Sequence, residues 1–154
     1  MKLTPGRFRL FLNLYPPYVF AGVRVTYIAP DWRELHVQMK LRWYNRNAVG
    51  THFGGSLYSM VDPHYMLMLM HILGRDYIVW DQAATIQFRR PGRGRVRSVA
   101  RITDEMLDRI RDKTKGGEAY RPEFEIDIVD DGDEIVATVV KVLYVRRKRT
   151  DDQH

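Results

Sequence analysis

Apolar and polar residues alternate with a period of two on either side of one long stretch that repeats at three and four. Val23, Val25 and Tyr27 alternate with polar or small residues up to Pro30, and Leu35, Val37, Met39 and Leu41 alternate with Glu34, His36, Gln38 and Lys40. Both read as strands, the second half buried, with a hairpin turn between them. Residues 45–51 have no periodicity and read as a loop. From Ser56 the period becomes helical: Leu57, Met60, Val61, Tyr65, Met68, Leu69 and Ile72 recur at steps of three and four. Apolar residues on the other sides predict a helix buried almost all round. Pro63 has no N–H and clashes with the carbonyl four residues back, so a continuous helix bends there or a second helix begins there. Gly74 is the predicted C-cap.

Strands return after the helix. Ile78, Trp80, Ala84, Ile86 and Phe88 share one parity, residues 91–94 form a turn, and Val96, Ser98, Ala100 and Ile102 continue beyond it. Thr103 or Asp104 caps a short helix over residues 105–111. Tyr120, Phe124, Ile126 and Ile128 predict a strand with one wet face and Pro122 near its start. Residues 130–133 form a hairpin turn. Residues 135–145 are apolar on both parities apart from Thr138 and Lys141, which predicts a central strand. Residues 7–14 suggest a short amphipathic helix. Six strands and one major helix lack the recurring crossover helices of a doubly wound sheet. An α+β fold follows, with an antiparallel sheet covering the helix. The expected division is a helical segment at 1–19, one domain at 20–145, and a basic, disordered tail at 146–154.

Composition narrows the partners. The 154 residues suit one domain, and the net charge is +6. The excess is local: Arg89, Arg90, Arg93, Arg95, Arg97 and Arg101 form one cluster, and residues 146–149 another. The two read as a solvated hairpin and a frayed basic end, and the functional reading of the first is an anionic small ligand. No recognition helix, zinc finger or aromatic-glycine motif points to nucleic acid. No apolar run approaches the roughly 20 residues of a bilayer span, so no membrane partner is expected. Pro5, Arg7, Arg9 and Asn13 interrupt the opening segment, which reads as mature protein rather than a secretion signal. Cysteine is absent, which removes thiolate chemistry, and cytoplasm is the default compartment. Asp62, His64 and His71 have no recognised ligand spacing, so no metal is expected.

The chemistry concentrates in residues 47–64, where a polar, glycine-bearing loop enters the helix and one acid sits inside it. Asp62 lies seven residues beyond Gly55, about two turns at ~3.6 residues per turn. A buried carboxylate needs a partner or a task. The N–H groups of Gly54, Gly55 and Ser56 lack intrahelical partners if the helix starts there, and glycine lets a ligand approach closely. Asn47 orients the loop or bonds a substrate carbonyl, and His52 has the same two options. His64 and His71 read as packed or interface histidines. Asp81 reads as an exposed strand start or a pocket wall. Met66, Met68 and Met70 read as core or oligomer packing.

The element order and the spacing of Asn47, Gly50, Gly54, Gly55 and Asp62 resemble the hotdog-fold thioesterases of the phenylacetate-degradation type. The later pattern Ile86, Gln87, Phe88, Arg89, Arg90 and Pro91 resembles a second motif of that group; the resemblance covers about residues 20–145, and the chain is most similar to the uncharacterised DUF4442 group. One position departs: Phe53 precedes Gly54 where the family has histidine, and the histidine stands one residue earlier at His52. The resemblance implies a long central helix wrapped by a curved six-stranded antiparallel sheet. It implies an acyl-CoA thioesterase with Asp62 as general base, or as nucleophile, and Gly54 and Gly55 amides as oxyanion donors, assisted by Asn47 and His52. In that family the acid and the amides come from different subunits, so a homodimer is implied, or a dimer of dimers (a homotetramer). CoA would enter as part of the substrate, its phosphates held by Arg89, Arg90, Arg95 and Arg97, with no other cofactor. The alternatives are a non-catalytic protein that binds acyl-CoA or another apolar acid, and a structural oligomer without ligand.

Overall fold

A computed structural model describes residues 3–149. Two short helices, α1 (Pro5–Leu14) and α2 (Pro16–Ala21), precede strands β1 (Val23–Ile28) and β2 (Glu34–Lys40). The helical stretch follows as α3 (Gly54–Ser59) and α4 (His64–Leu73). Strands β3 (Tyr77–Phe88) and β4 (Arg95–Arg101), helix α5 (Asp104–Thr114), and strands β5 (Ala119–Tyr120), β6 (Glu123–Asp130) and β7 (Ile135–Arg147) complete the chain. The sheet runs β1-β2-β4-β6-β7-β3, all antiparallel, with the two-residue β5 beside β7. Six strands thus carry the sheet, and the helices lie across one face, as expected.

The punctuation follows local chemistry. Pro63 ends one helix and starts the next: residues 60–63 are turns, and Leu67 N–H returns to the Pro63 carbonyl at 2.9 Å. The second of the two expected outcomes at this proline is therefore the one realised. Gly74 caps α4 with φ 75°, a value glycine adopts at little cost. Thr103 accepts the Met106 N–H at the start of α5. The predicted strand around residues 120–128 divides at Pro122 into β5 and β6, because proline offers no ladder donor. The first predicted helix begins two residues earlier than expected, with Pro5 at its first turn, and α2 was not foreseen. At the other end β7 passes the expected boundary: Arg146 and Arg147 pair with Ile78 and Tyr77. Residues 150–154 of the expected tail lie outside the described residues.

One correction bears on the site. Residues 78, 80, 84, 86 and 88 do not share a face. Asp81 pairs with Leu143 and Ala83 with Val142, so Gln82 is an extra residue in β3. A bulge of this kind exchanges the two faces of a strand. Ala84, Ile86 and Phe88 therefore pair with Lys141, Val139 and Ala137 on the helix-facing side, whereas Trp80 pairs with Tyr144 on the outer side. The Trp80 and Tyr144 rings stack there at 4.6 Å. Asp81 consequently joins the inner face.

The core lies between that face and the helices. Ala137, Val139, Leu143 and Val145 of β7, Phe124, Ile126 and Ile128 of β6, and Tyr65, Met68 and Leu69 of α4 are buried. Tyr65 stacks on Phe124 at 4.4 Å. Met68 is core, Met66 packs against it and Met70 is exposed.

Candidate functional site

Lys141 occupies the centre of the inner row of β7, a position its neighbours give to apolar side chains, and its side chain is 1% exposed. An ammonium there needs anions and acceptors close by. The break between α3 and α4 supplies them. Asp62 stands at the break, and Lys141 Nζ donates to its Oδ1 at 2.8 Å. Tyr58, one turn earlier on α3, donates its hydroxyl to the same Oδ1 at 2.6 Å and accepts from Nζ at 3.0 Å. The ammonium also lies 5.3 Å from the centre of the Tyr58 ring. Asp81, turned inward by the bulge, closes the group with Oδ1 at 3.1 Å from Nζ; this is an ion-pair contact without hydrogen-bond geometry.

The two carboxyl groups are pushed in opposite directions. Burial drives Asp62 upward, but hydrogen bonds from Lys141 and Tyr58 outweigh it and hold the carboxyl below the usual aspartate range. Burial drives Asp81 upward too, and there the pull of Lys141 does not compensate, so Asp81 stays above that range. Burial alone would lower Lys141; its bonds to Asp62 and Tyr58 and the contact with Asp81 raise it instead. Asp62 is thus an anion at neutral pH, half exposed, with both donors on Oδ1 and no protein donor on Oδ2 among the described residues. A groove of about 400 Å³ beside it is lined by Tyr58, Asp81, Gln82, Ala84 and Lys141.

The glycine loop forms a second groove, about 470 Å³, with Asn47, His52, Gly54, Phe88, Arg89 and Arg90 on its walls. Gly54 and Gly55 open α3, and neither N–H has a partner among the described residues. Ser56 differs from expectation: its N–H bonds the Phe53 carbonyl at 3.0 Å, and Leu57 shares that acceptor. Rings cover both glycines. A Cβ at Gly54 would stand 2.8 Å from Phe88, and one at Gly55 would stand 2.6 Å from Phe53. The residue found where histidine was expected therefore packs on the helix start.

Asn47 and His52 organise this loop. Asn47 Oδ1 accepts the Val49 and Thr51 N–H groups at 3.1 and 3.0 Å, and its amide donates to Thr51 Oγ1 at 2.9 Å. His52 is buried, with Nε2 2.8 Å from the Gly94 carbonyl, tying the loop to the β3–β4 turn. The arginines divide. Arg89 and Arg90 reach the glycine groove, with Arg90 paired to Glu134 at 3.0 Å. Arg95 and Arg97 project from the sheet's outer side and pair with Asp131 and Asp133 of the β6–β7 turn, so they are not brought to the groove. His64 is fully buried with Nε2 2.7 Å from the Tyr18 hydroxyl, and His71 stacks on Trp32 at 3.6 Å. Both are packed, as read from the sequence.

Tyr58 and Lys141 were missed. The signal for Lys141 was a lysine inside an otherwise apolar strand, which requires a buried counter-charge. The signal for Tyr58 was its place four residues before Asp62 on a helix.

With this geometry established, comparisons define the relatives. The family described as "Domain of unknown function (DUF4442)" matches residues 7–145. A protein of unknown function from Pseudomonas aeruginosa, described as a probable thioesterase, superposes with a TM-score of 0.82 at 20% identity, over 96% of this chain and 99% of that one. Mouse thioesterase superfamily member 2 gives 0.66 at 16% identity, over 94% and 98%. The PaaI protein from the phenylacetic acid degradation operon of E. coli gives 0.62 at 17% identity, over 91% and 89%. At these identities the likeness establishes the fold. No curated protein matches the sequence.

Proposed function

The chain belongs to the DUF4442 family and has the hotdog fold of the thioesterase-like superfamily, and on that premise we propose that it hydrolyses acyl thioesters. The observation that carries the reading is Asp62: an ionised, half-exposed carboxylate at a helix break, with one oxygen fixed by Lys141 and Tyr58 and the other open. In the proposed reaction Oδ2 accepts a proton from a bound water as its oxygen attacks the thioester carbonyl. The oxyanion is held by the Gly54 and Gly55 N–H groups, whose position at a helix start favours negative charge. Collapse breaks the C–S bond, the proton passes from Asp62 to the departing thiolate, and the products are a carboxylic acid and a thiol. Lys141 positions the base and touches no substrate atom. Asn47 and His52 hold the loop that presents the amides.

One copy does not complete this arrangement. Gly54 and Gly55 open α3 and Asp62 stands in the turn beyond its far end, so the helix, on the order of 9 Å long at 1.5 Å per residue, lies between them, whereas base and oxyanion donors must both lie near one carbonyl. Strand β3 ends the sheet with its outer edge unpaired among the described residues. A twelve-residue edge of this kind invites pairing with a second copy. The proposed unit is therefore a homodimer, or a dimer of dimers, in which one copy supplies Asp62 and the other the glycine amides. Arg89, whose side chain has no partner among the described residues, is the cation placed to meet a CoA phosphate beside Gly54.

A second reading has one observation in its favour. The two donors on Oδ1 make Asp62 a weaker base, which suits a protein that binds acyl-CoA or another apolar acid without turnover. A panel of short, aromatic and long acyl-CoAs separates the two. If Asp62 is the base, Asp62→Asn lowers hydrolysis ~10²-fold or more while the fold survives. Asp62→Ala, measured beside it, controls for deamidation back to aspartate. Unchanged hydrolysis by a stable variant excludes Asp62, and tight binding without turnover selects the binding protein. A single 18.2 kDa species in sedimentation at micromolar concentration would remove the two-copy site.

A further inference from the structure

Helix α1 is apolar on two sides, and only one of them meets the core. Phe8 and Leu12 face inward. Arg7, Leu10, Phe11 and Leu14 recur at steps of three, four and seven, so they form one stripe on the opposite side. Leu10 is 62% exposed, Phe11 56% and Leu14 68%. On the next helix, α2, Phe20 is also exposed, at 78%. Beyond its C-cap at Gly22 the Tyr44 ring lies within contact distance, and Trp43, 80% exposed, meets Tyr44 edge-on at 5.5 Å. Side chains of this size are rarely exposed together without a partner.

The chemistry beside the stripe says which partner. Residues 1–30 contain no acid. Two clefts lie on the β1–β2 side, one reaching the stripe at Leu10 and the other reaching Tyr44, with Arg24 and Gln38 common to both. One, about 450 Å³, is lined by Arg9, Leu10, Asn13 and Arg24; the other, about 180 Å³, by Arg24, Lys40, Arg42 and Tyr44. Neither has an acidic residue in its wall. An apolar stripe bordered by acid-free cationic clefts, with tryptophan and tyrosine at its margin, matches the cross-section of an anionic bilayer surface: acyl chains below, phosphates at the rim. A protein partner would have to match the apolar stripe and place acids at each cleft, whereas an anionic lipid surface presents both features everywhere.

We propose that the α1–α2 face, with Trp43 and Tyr44, docks on an anionic phospholipid surface. The segment lies on the bilayer and does not cross it; no described helix is long and apolar enough to span. The inference is independent of the reaction at Asp62.

The full chain is tested by co-sedimentation with vesicles of phosphatidylcholine alone and with added phosphatidylglycerol. The expected result is capture by the mixed vesicles only, weakened at high salt. Phe11→Ser with Phe20→Ser lowers capture about tenfold or more by removing buried apolar area. Arg24→Gln with Arg42→Gln lowers it at low salt and abolishes most of its salt dependence. Ile135→Ser, an exposed apolar side chain beyond the β6–β7 turn, leaves capture unchanged. Thermal unfolding verifies that the variants fold. Absence of capture by the mixed vesicles overturns the proposal. So does a change of oligomeric state in the Phe11/Phe20 variant with vesicle binding intact, which would assign the stripe to a second copy of the chain.

Discussion

The chain places cations beside carboxylates in two regions, and their surroundings give them opposite meaning. Inside, Lys141 is enclosed and shared among Asp62, Tyr58 and Asp81. Outside, Arg95 and Arg97 pair with Asp131 and Asp133 across a hairpin open to water. The outer pairs gain little, because water and salt screen them as well as a partner does. In the inner group water does not reach the enclosed Lys141 to replace a lost partner, so the lysine and its neighbours fix one another's charge state. A cluster of arginines in the sequence is therefore weaker evidence of a site than one lysine in an apolar strand.

The most direct way to break this contrast is to remove the inner cation. Lys141→Ala leaves two carboxyl groups beside an apolar wall, and unfolding stability should fall by about 3 kcal/mol, the lower end for breaking a buried pair because Asp62 is half exposed. Lys141→Met combined with Asp62→Asn and Asp81→Asn should recover most of the loss in urea denaturation. A Lys141→Ala protein as stable as the parent would place the inner group with the outer one.

Acid sharpens the contrast through His64, one residue past the helix break. Burial pushes it down to about 3, against Asp62, which pulls it upward. Above the ordinary histidine value, about 6.5, neither the folded nor the unfolded chain is protonated there, and the group is neutral in the balance. As pH falls below that value the unfolded chain takes up a proton that the folded chain refuses. Stability therefore falls, by about 2 kcal/mol at pH 5 relative to pH 7.5. His52, also lowered chiefly by burial, adds in the same direction. His64→Gln should flatten most of the slope in denaturation midpoints measured across this window; an unchanged slope would show that His64 is not its source.

The smallest effects separate the arginines. Arg89→Ala should raise the KM for CoA esters about tenfold, one charge-assisted contact, with less effect on a thioester lacking CoA, and the difference should shrink with salt. Arg95→Ala should change neither, and should alter stability by about 1 kcal/mol or less. Equal losses in both variants would return Arg95 to the binding surface.

Much of the fold was legible because periodicity is local. Alternation of Leu35, Val37 and Met39 requires a strand with one dry face, and Pro63 requires a bend or a break in the helix whatever surrounds it. Asp62 and the glycines also stood out, since a carboxylate within a buried helix and paired glycines at its start are visible in one short stretch. What lay beyond local reading was which side each residue faces and what it meets. The extra residue Gln82 turned Asp81 inward, and no alternation rule locates a bulge. Lys141 is 79 positions from Asp62 and 83 from Tyr58. The sequence by itself determined that a buried lysine and a buried acid would each need an opposite charge; only the tertiary structure decided that they would meet each other, because strand pairing and the helix break, not spacing along the chain, set that distance.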